Sequence, residues 1–225
     1  MLEYRTEGFN GCAVKYSPFF DSRIAVAASS NFGLVGNGRF YILNLTPQGI
    51  LPQQSYTTQD ALYDVAWSEI HENQALVASG DGSIKLFDIA VNEFPVQGWK
   101  EHSREVFSVH WNLVAKDRFS STMMGHEYAI RKVSWSPHLS HVLLSASYDM
   151  TCRVWTDGSE GTPPGDADLT RSGPTSTIGR ELGRMGRHTE FVTGIDWCLF
   201  GSEGWCASCG WDERLCVWDA RAIMA

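Results

Sequence analysis

A histidine followed nine residues later by tryptophan recurs along this chain, and the repeat constrains the fold more than any other feature. The pairs are His102–Trp111, His126–Trp135 and His188–Trp197. A second spacing places an aromatic residue six positions after an aspartate, in Asp81–Phe87, Asp149–Trp155 and Asp212–Trp218. Trp67 and Trp111 are 44 residues apart, which lies in the range of about 40 to 45 residues for a four-stranded propeller blade. The sequence therefore predicts an all-β repeat architecture in a single domain, 1–225.

Each repeat begins with a segment that alternates like a β-strand and ends in an aromatic residue. The segments are LYDVAW at 62–67, VFSVHW at 106–111, IRKVSW at 130–135 and VTGIDW at 192–197, with GCAVKY at 11–16 as a degenerate copy. A second strand, a tight turn at an aspartate and a third strand follow in the complete repeats. The predicted repeats are a degenerate first at 11–45, a second at 62–88, a partial third at 102–119, one at 125–155 and a last at 188–219.

Two intervals depart from the repeat length. Trp111 and Trp135 are only 24 residues apart, with no hairpin between them, which places a deletion junction at 120–124. Trp135 and Trp197 are 62 residues apart, and the excess at 156–185 is rich in Gly, Pro, Ser and Thr. Such a composition predicts a flexible loop inserted between strands. We also expect the first six residues, MLEYRT, to supply the outer strand of the last blade.

The net charge of −8 argues against a nucleic-acid partner, because phosphate contacts need clustered Lys and Arg. A basic or amphipathic ligand suits this charge better. No apolar run is long enough to span a bilayer, and the N-terminus lacks a charged region followed by an apolar one. The sequence therefore predicts a cytosolic protein without membrane insertion.

Four cysteines lie close together near the C-terminus, and we weighed a zinc site against buried thiols. They are Cys198, Cys206, Cys209 and Cys216. Cys206 and Cys209 belong to a strand-like segment in which residues three apart face opposite sides, so they could not easily bind one ion. We therefore expect small buried thiols, with no metal and no cofactor.

The motifs resemble the WD40 repeat family, whose Gly-His and Trp-Asp dipeptides bracket each unit. The chain has Gly125-His126 and Trp218-Asp219. The resemblance implies an incomplete β-propeller of four to five blades with a damaged third blade, where the family resembled has seven. It also implies hydrogen-bonded structural tetrads: one contains His126, Asp149 and Trp155 with Ser145 or Ser147, of which Ser147 is the preferred candidate, and the other contains His188, Ser208, Asp212 and Trp218. Because the set repeats, it favours a scaffold role over a hydrolase triad, and we expect no enzyme activity.

Longer blocks resemble one WD40 family, the peroxisomal import receptors for type 2 targeting signals. They include SGDGSIKLFD, KEHSREVFSVHWN and GHEYAIRKVSWSPH, in the expected order. The resemblance implies an internally truncated receptor for an N-terminal nonapeptide, R-[LVI]-x5-[HQ]-[LA], on matrix enzymes such as thiolase. It also implies a co-receptor, docking-complex peroxins as partners, and cycling between the cytosol and the peroxisome, including its membrane face and matrix.

Propeller ligands commonly lie over the loops at one end of the blades. Aligning the repeats places an aromatic set with acids at that end, which would suit an amphipathic helical peptide carrying a basic residue. Glu105 is the candidate partner of the signal's arginine, with Asp64 and Asp60 as secondary acids. The candidate peptide-binding residues are Tyr63, Asp64, Glu105, Phe107, Tyr148, Phe191 and Trp211.

Four alternatives stay open at this point. Glu105 could be a solvated loop acid paired with Arg104, and each aromatic could be buried between blades. The chain could also be a generic WD40 scaffold of a multiprotein assembly, or a non-functional truncated isoform. The named blocks favour the receptor, because generic repeats would share only the dipeptides and the apolar alternation.

Overall fold

The computed structural model describes residues 2–31, 36–91, 94–121, 125–159, 180–200 and 203–224. Within them the secondary structure is almost entirely β. The chain divides into two compact units, residues 1–111 and 112–225. The boundary falls inside the partial third repeat.

The first unit contains two antiparallel four-stranded sheets in which sequential strands are neighbours. The strands of the first sheet are β1 (Asn10–Tyr16), β2 (Arg23–Ser29), β3 (Gly38–Thr46) and β4 (Gly49–Thr58). Those of the second are β5 (Leu62–Trp67), β6 (Gln74–Ser79), β7 (Ile84–Asp88) and β8 (Gln97–Trp99). A short β9 (His110–Trp111) ends the unit.

The second unit begins with β10 (Phe119–Ser120) and has one four-stranded and one three-stranded sheet. The four strands are β11 (Ile130–Trp135), β12 (Val142–Ser147), β13 (Cys152–Thr156) and β14 (Arg180–Met185). The three are β15 (Val192–Trp197), β16 (Trp205–Gly210) and β17 (Leu215–Asp219), and a 3-10 helix follows at Ala220–Ala222.

Both units are held together by apolar faces of neighbouring sheets. In the first unit Phe40 and Ile42 of β3 join Leu62, Val65 and Trp67 of β5 in one buried cluster. Each such fully buried side chain contributes about 1.5–3 kcal/mol relative to an exposed one. The Trp67 indole N–H also donates to the Lys15 carbonyl oxygen at 3.1 Å. The repeat's terminal aromatic therefore both fills the core and hydrogen-bonds the preceding sheet.

The second unit repeats this packing with different side chains. Val142 and Leu144 of β12 pack with Val192, Ile195 and Trp197 of β15. The Trp197 indole N–H donates to the Ser134 carbonyl oxygen at 3.0 Å, as Trp67 does in the first unit. The aromatic residue that sets the sequence period thus has the same structural role in both units.

The predicted strand at 106–111 was wrong over most of its length, because only residues 110–111 form a strand. Its backbone is bound by the preceding sheet instead. The Val106 N–H donates to the Ser79 carbonyl oxygen, and the Val109 N–H to an Asp64 carboxylate oxygen. A strand needs a neighbouring strand to bind its N–H and C=O groups, and at Val106 and Val109 a single carbonyl and a carboxylate bind the N–H groups instead.

The prediction for MLEYRT was also wrong. Residues 2–6 form no strand, and Tyr4 packs instead on the first sheet, edge-on to Tyr41 with ring centroids 6.1 Å apart. Tyr4 is partly buried there, against a cluster that includes Leu43. The sheet of β15 to β17 has three strands among the described residues.

The predicted loop at 156–185 needs correction at both ends. Thr156 ends β13, and residues 180–185 form β14, in which Leu182 and Met185 are buried. Residues 160–179 of the predicted loop lie outside the described residues, as do 122–124 of the predicted junction. The apolar side chains of RELGRM explain why this end of the segment is a strand rather than a loop.

Candidate functional site

A buried hydrogen-bond network connects His126 to the sheet that follows it. His126 Nδ1 lies 2.7 Å from Asp149 Oδ2, and His126 Nε2 lies 2.6 Å from Ser145 Oγ. The Trp155 indole N–H donates to the same hydroxyl at 2.7 Å. These contacts define the direction of each bond: Nδ1–H donates to the carboxylate, the Ser145 hydroxyl donates to Nε2, and its oxygen accepts from Trp155.

The hydroxyl in this network is Ser145, so the preference for Ser147 was wrong. Ser147 Oγ donates to the Tyr128 carbonyl oxygen at 3.2 Å and accepts from the Asp149 N–H at 3.1 Å. The register explains the difference. Leu143 lies opposite Trp155 on the neighbouring strand and Ser145 opposite Arg153, so the indole reaches the nearer hydroxyl.

A second network of the same kind lies in the last sheet. His188 Nδ1 is 2.9 Å from Asp212 Oδ2, and His188 Nε2 is 2.9 Å from Ser208 Oγ. The Trp218 indole N–H donates to Ser208 Oγ at 3.3 Å. The same four residue types in the same order therefore join a loop histidine to two strands in each sheet of the second unit.

Burial controls the protonation of the first network. Desolvation lowers the pKa of His126, and hydrogen bonds from Thr151 and His126 lower the pKa of Asp149 to about 2, against the opposing effect of burial. The Arg153 guanidinium also donates to Asp149 Oδ2 at 2.9 Å and to Glu181 at 2.9 Å. A histidine held between a paired carboxylate and a buried serine hydroxyl is a fixed structural element of the blade.

Gly125 precedes His126 because no other residue fits there well. Its φ is +133°, and a Cβ would lie 3.0 Å from Cη2 of Trp155. Glycine tolerates positive φ at no steric cost, so the Gly-His dipeptide allows the loop to pass close over the indole ring.

Recurring backbone features hold the loops together at one end of the sheets. The N–H of the residue before each turn aspartate donates to a carbonyl at the start of the first strand: Gly80 to Ala61, Tyr148 to Ala129 and Trp211 to Phe191, at 2.8 to 3.0 Å. The turn aspartates in turn accept from the N–H two residues later, as Asp149 does from Thr151 at 3.1 Å. These bonds place the two loops of each blade side by side.

A β-bulge at the start of the first strand re-aims one side chain in every complete repeat. The register shifts lie between Gly11 and Ala13, Leu62 and Asp64, Ile130 and Lys132, and Val192 and Gly194. Bulges commonly redirect a side chain at a functional end of a sheet. Tyr63 and Arg131 are the bulged residues of two repeats, and both take part in the clusters described next.

The second unit presents three aromatic rings in contact at these loops. The rings of Tyr148 and Phe191 are stacked with centroids 4.4 Å apart, and Phe191 and Trp211 are 5.2 Å apart. The Arg131 guanidinium lies 5.6 Å from the centroid of the Tyr148 ring. Trp211 is 64% exposed, while the other two rings are half-buried. We call Tyr148, Phe191 and Trp211 the aromatic shelf.

The first unit has a smaller pair at the equivalent positions. The rings of Tyr63 and Phe107 are 4.9 Å apart and half-buried. Glu105 is exposed two residues before Phe107. An exposed carboxylate near two aromatic rings can accept a guanidinium as a bidentate pair while the rings pack on the alkyl chain.

Asp64 is not a surface acid, and its assignment to peptide binding was wrong. It is only 4% exposed. Its carboxylate accepts from the Ser108 hydroxyl at 2.9 Å, the Val109 N–H at 3.2 Å and its neighbour's N–H at 2.9 Å. The Asp64 carboxylate therefore binds the segment at Ser108 and Val109 instead of facing a ligand surface.

Tyr128 is a surface aromatic that the sequence analysis missed. It is exposed in the loop that begins at His126, and its carbonyl accepts from Ser147. The sequence could have indicated this residue, because Tyr128 lies two residues after His126 in the loop that precedes the first strand. The bond from the Tyr148 N–H to the Ala129 carbonyl places this loop beside the turn at Asp149.

The cysteines are free thiols in different surroundings. Cys206 is buried, and burial raises its pKa to about 12. Cys198 and Cys209 are exposed, so the expectation of buried thiols was wrong for these two. Among the described residues no cluster of His, Cys, Asp and Glu is arranged to hold a metal ion. The same residues include no helix long and apolar enough to cross a membrane.

Comparisons with known proteins identify the class. The family model described as WD domain, G-beta repeat matches residues 117–156 and 179–219, which contain the two hydrogen-bond networks. The crystal structure of the WD40 beta propeller domain of Doa1 is similar with a TM-score of 0.69 and 15% identity, over 98% of this chain and 68% of that one. The chain is therefore a WD40-repeat protein of the β-propeller fold.

Curated relatives identify the family within that class. A peroxisomal targeting signal 2 receptor of Saccharomyces cerevisiae is 31% identical over 375 aligned residues, with 97% of this chain and 99% of the relative covered. Peroxisome biogenesis protein 7 of Arabidopsis thaliana is 30% identical, covering 93% and 95%. This chain belongs to the family of peroxisomal targeting signal 2 receptors. Because the yeast alignment is much longer than 225 residues, the yeast protein has segments without a counterpart here.

The human receptor matches a shorter stretch. It is 35% identical over 162 residues, which is 63% of this chain and 50% of the relative. The similarity therefore persists between distant organisms over part of the chain.

Proposed function

We propose that this chain is a receptor that binds the N-terminal nonapeptide signal of peroxisomal matrix proteins and delivers them, with a co-receptor, to the docking complex. The proposal rests first on membership of the receptor family. Cargo such as thiolase, the co-receptor and the docking peroxins are the proposed partners. Delivery of this kind requires cycling between the cytosol and the peroxisome.

The single structural observation that carries the proposal is the exposed aromatic shelf. Aromatic rings left open at loop ends supply large, rigid apolar area for a ligand. The shelf lies at loops held in place by the repeated backbone bonds, so it is formed before a ligand arrives. An amphipathic helical segment would place its apolar face on Trp211 and Phe191.

Glu105 is the proposed partner of the arginine in the signal. It is exposed, and the chain's net charge of −8 favours a basic ligand. Tyr63 and Phe107 are the proposed apolar contacts near it. Arg131 would repel a basic side chain, so we assign it to an acidic or C-terminal part of the ligand.

A charge exchange tests this assignment. Glu105→Lys should abolish binding of an R-L-x5-H-L peptide in the presence of co-receptor, and replacing the peptide's Arg with Glu should restore binding to that variant. Glu101→Lys is the matched control, because Glu101 is also exposed and causes the same change in net charge. Equal loss in both variants, or unchanged binding by Glu105→Lys, would remove Glu105 from the site.

A further inference from the structure

Each unit contains one packed contact between two successive sheets. We call the face contributed by the earlier sheet the leading face and the face contributed by the later sheet the trailing face. In the second unit the leading face is formed by Val142, Leu144 and Ala146 of β12 with Cys152 and Val154 of β13. The trailing face is formed by Val192, Ile195 and Trp197 of β15 with Cys206 of β16. All nine side chains are buried in one cluster.

The strand registers identify the leading face of the last sheet. Trp135 pairs with Leu143, and Trp197 pairs with Cys206, so β16 corresponds to β12 residue for residue. The equivalents of the buried leading residues are Trp205, Ala207 and Cys209 of β16 and Leu215 and Val217 of β17. Leu215 is 71% exposed and Val217 is 62% exposed. Among the described residues this leading face is therefore uncovered, with large apolar side chains where its counterpart is covered.

The first sheet has the matching open trailing face. Tyr16 pairs with Ile24 as Trp67 pairs with Ala75, so Val14 and Tyr16 stand where Val65 and Trp67 stand in the second sheet. Val65 and Trp67 are buried. Val14 and Tyr16 are 60% and 61% exposed. Tyr4 and Phe9 pack beside them on the same sheet, against Ile24, Ala28, Tyr41 and Leu43, so the uncovered part lies along β1.

We propose that these two faces are an interface between copies of this chain, in which the leading face of one copy packs on the trailing face of a second. A second copy of the chain is the expected partner, because the sheet-to-sheet contact within each unit already joins a leading face to a trailing face. Exposed apolar patches of this kind mark association sites on soluble proteins.

A hydrogen bond supports the same pairing. Trp67 donates its indole N–H to the Lys15 carbonyl, and Trp197 donates to the Ser134 carbonyl. Tyr16 replaces tryptophan on the open trailing face and has a hydroxyl donor at its tip. The position equivalent to Lys15 and Ser134 in the last sheet is Asp196, whose carbonyl oxygen is the acceptor for Tyr16 of the second copy.

Light scattering coupled to gel filtration, over a range of concentrations, tests the proposal on the 225-residue chain. The wild-type protein should reach at least twice the monomer mass of 25.1 kDa as concentration rises. Val217→Lys blocks the leading face and Val14→Lys blocks the trailing face, so each variant alone should remain a monomer. Ile70→Lys is the control, since Ile70 is an exposed apolar loop residue outside both faces, and it should associate like the wild type.

Mixing the two blocked variants makes the test specific. Val14→Lys retains an intact leading face, and Val217→Lys retains an intact trailing face, so an equal mixture should form a dimer that neither variant forms alone. That result would also show that both variants are folded. A wild-type chain that stays monomeric at every concentration, or a mixture that stays monomeric while the wild type associates, would overturn the proposal.

Discussion

The indole N–H of Trp155 donates to Ser145 Oγ at 2.7 Å, and this bond joins the third strand of its sheet to the second. The same hydroxyl is bound by His126, so one serine connects a loop and two strands. Because Ser145 and Trp155 are both buried, no water replaces the bond when it is lost.

Replacing Ser145 with alanine should therefore destabilise the chain. The change leaves the Trp155 N–H and His126 Nε2 without their partner, and we expect the free energy of unfolding to fall by about 1–3 kcal/mol. Ser147→Ala should cost less, since it leaves the network intact. Urea unfolding followed by tryptophan fluorescence measures both, and a larger loss for Ser147→Ala would contradict the assignment.

Acid should destabilise the fold through His126. Burial lowers its pKa, so below about pH 6.5 the unfolded chain binds a proton that the folded chain does not. Stability should then fall as pH decreases, by up to about 1.4 kcal/mol per pH unit for this group. Asp149, with its pKa lowered to about 2, adds a further loss as pH falls from about 4 towards that value.

Unfolding curves at about pH 7 and about pH 5 test the histidine contribution. The His126→Gln variant should be less stable at neutral pH and should show a weaker pH dependence than the wild type over this interval. An equal pH dependence in both proteins would show that another group titrates.

Asp64→Ala should act on stability rather than on ligand binding. It removes the acceptor of the Ser108 hydroxyl and the Val109 N–H in a buried setting, and we expect a loss of about 1–3 kcal/mol. Hydrogen exchange should show faster exchange at the Val109 amide. Unchanged stability combined with weaker peptide binding would return Asp64 to the ligand site.

Trp211→Ala should weaken binding of the signal peptide with little effect on folding. The ring is mostly exposed, so its removal costs the fold little, while a lost aromatic anchor typically costs at least about 2 kcal/mol of binding, or roughly 30-fold in affinity. Phe94→Ala is the control, because Phe94 is also a mostly exposed aromatic residue but lies outside the shelf. Equal peptide affinities for Trp211→Ala and the wild type would exclude the aromatic shelf as the peptide-binding site.

The repeat spacing predicts the fold class because it records the contacts of single residues. Trp67 and Trp197 recur at one strand position, where each fills a core and donates to the preceding sheet. The histidine and aspartate of each network follow from the same spacing. The network residues lie within one blade, and the tryptophan makes the same contact with the preceding sheet in each unit, so both features recur as a pattern in the sequence.

Register and side-chain packing were not predictable in the same way. Ser145 and Ser147 lie on the same strand two residues apart, and only the pairing of β12 with β13 brings the first within reach of Trp155. Asp64 is buried because residues 108 and 109 pack on it and bind its carboxylate, which its own segment does not reveal. Both outcomes depend on neighbouring segments rather than on the residue's own segment.

A binding titration of this 225-residue chain with a labelled R-L-x5-H-L peptide and co-receptor tests the central claim most directly. The account predicts saturable binding that is lost when the peptide's arginine is replaced. A monodisperse chain that does not bind, while a full-length relative binds in parallel, would contradict the proposal that this chain is itself a signal receptor.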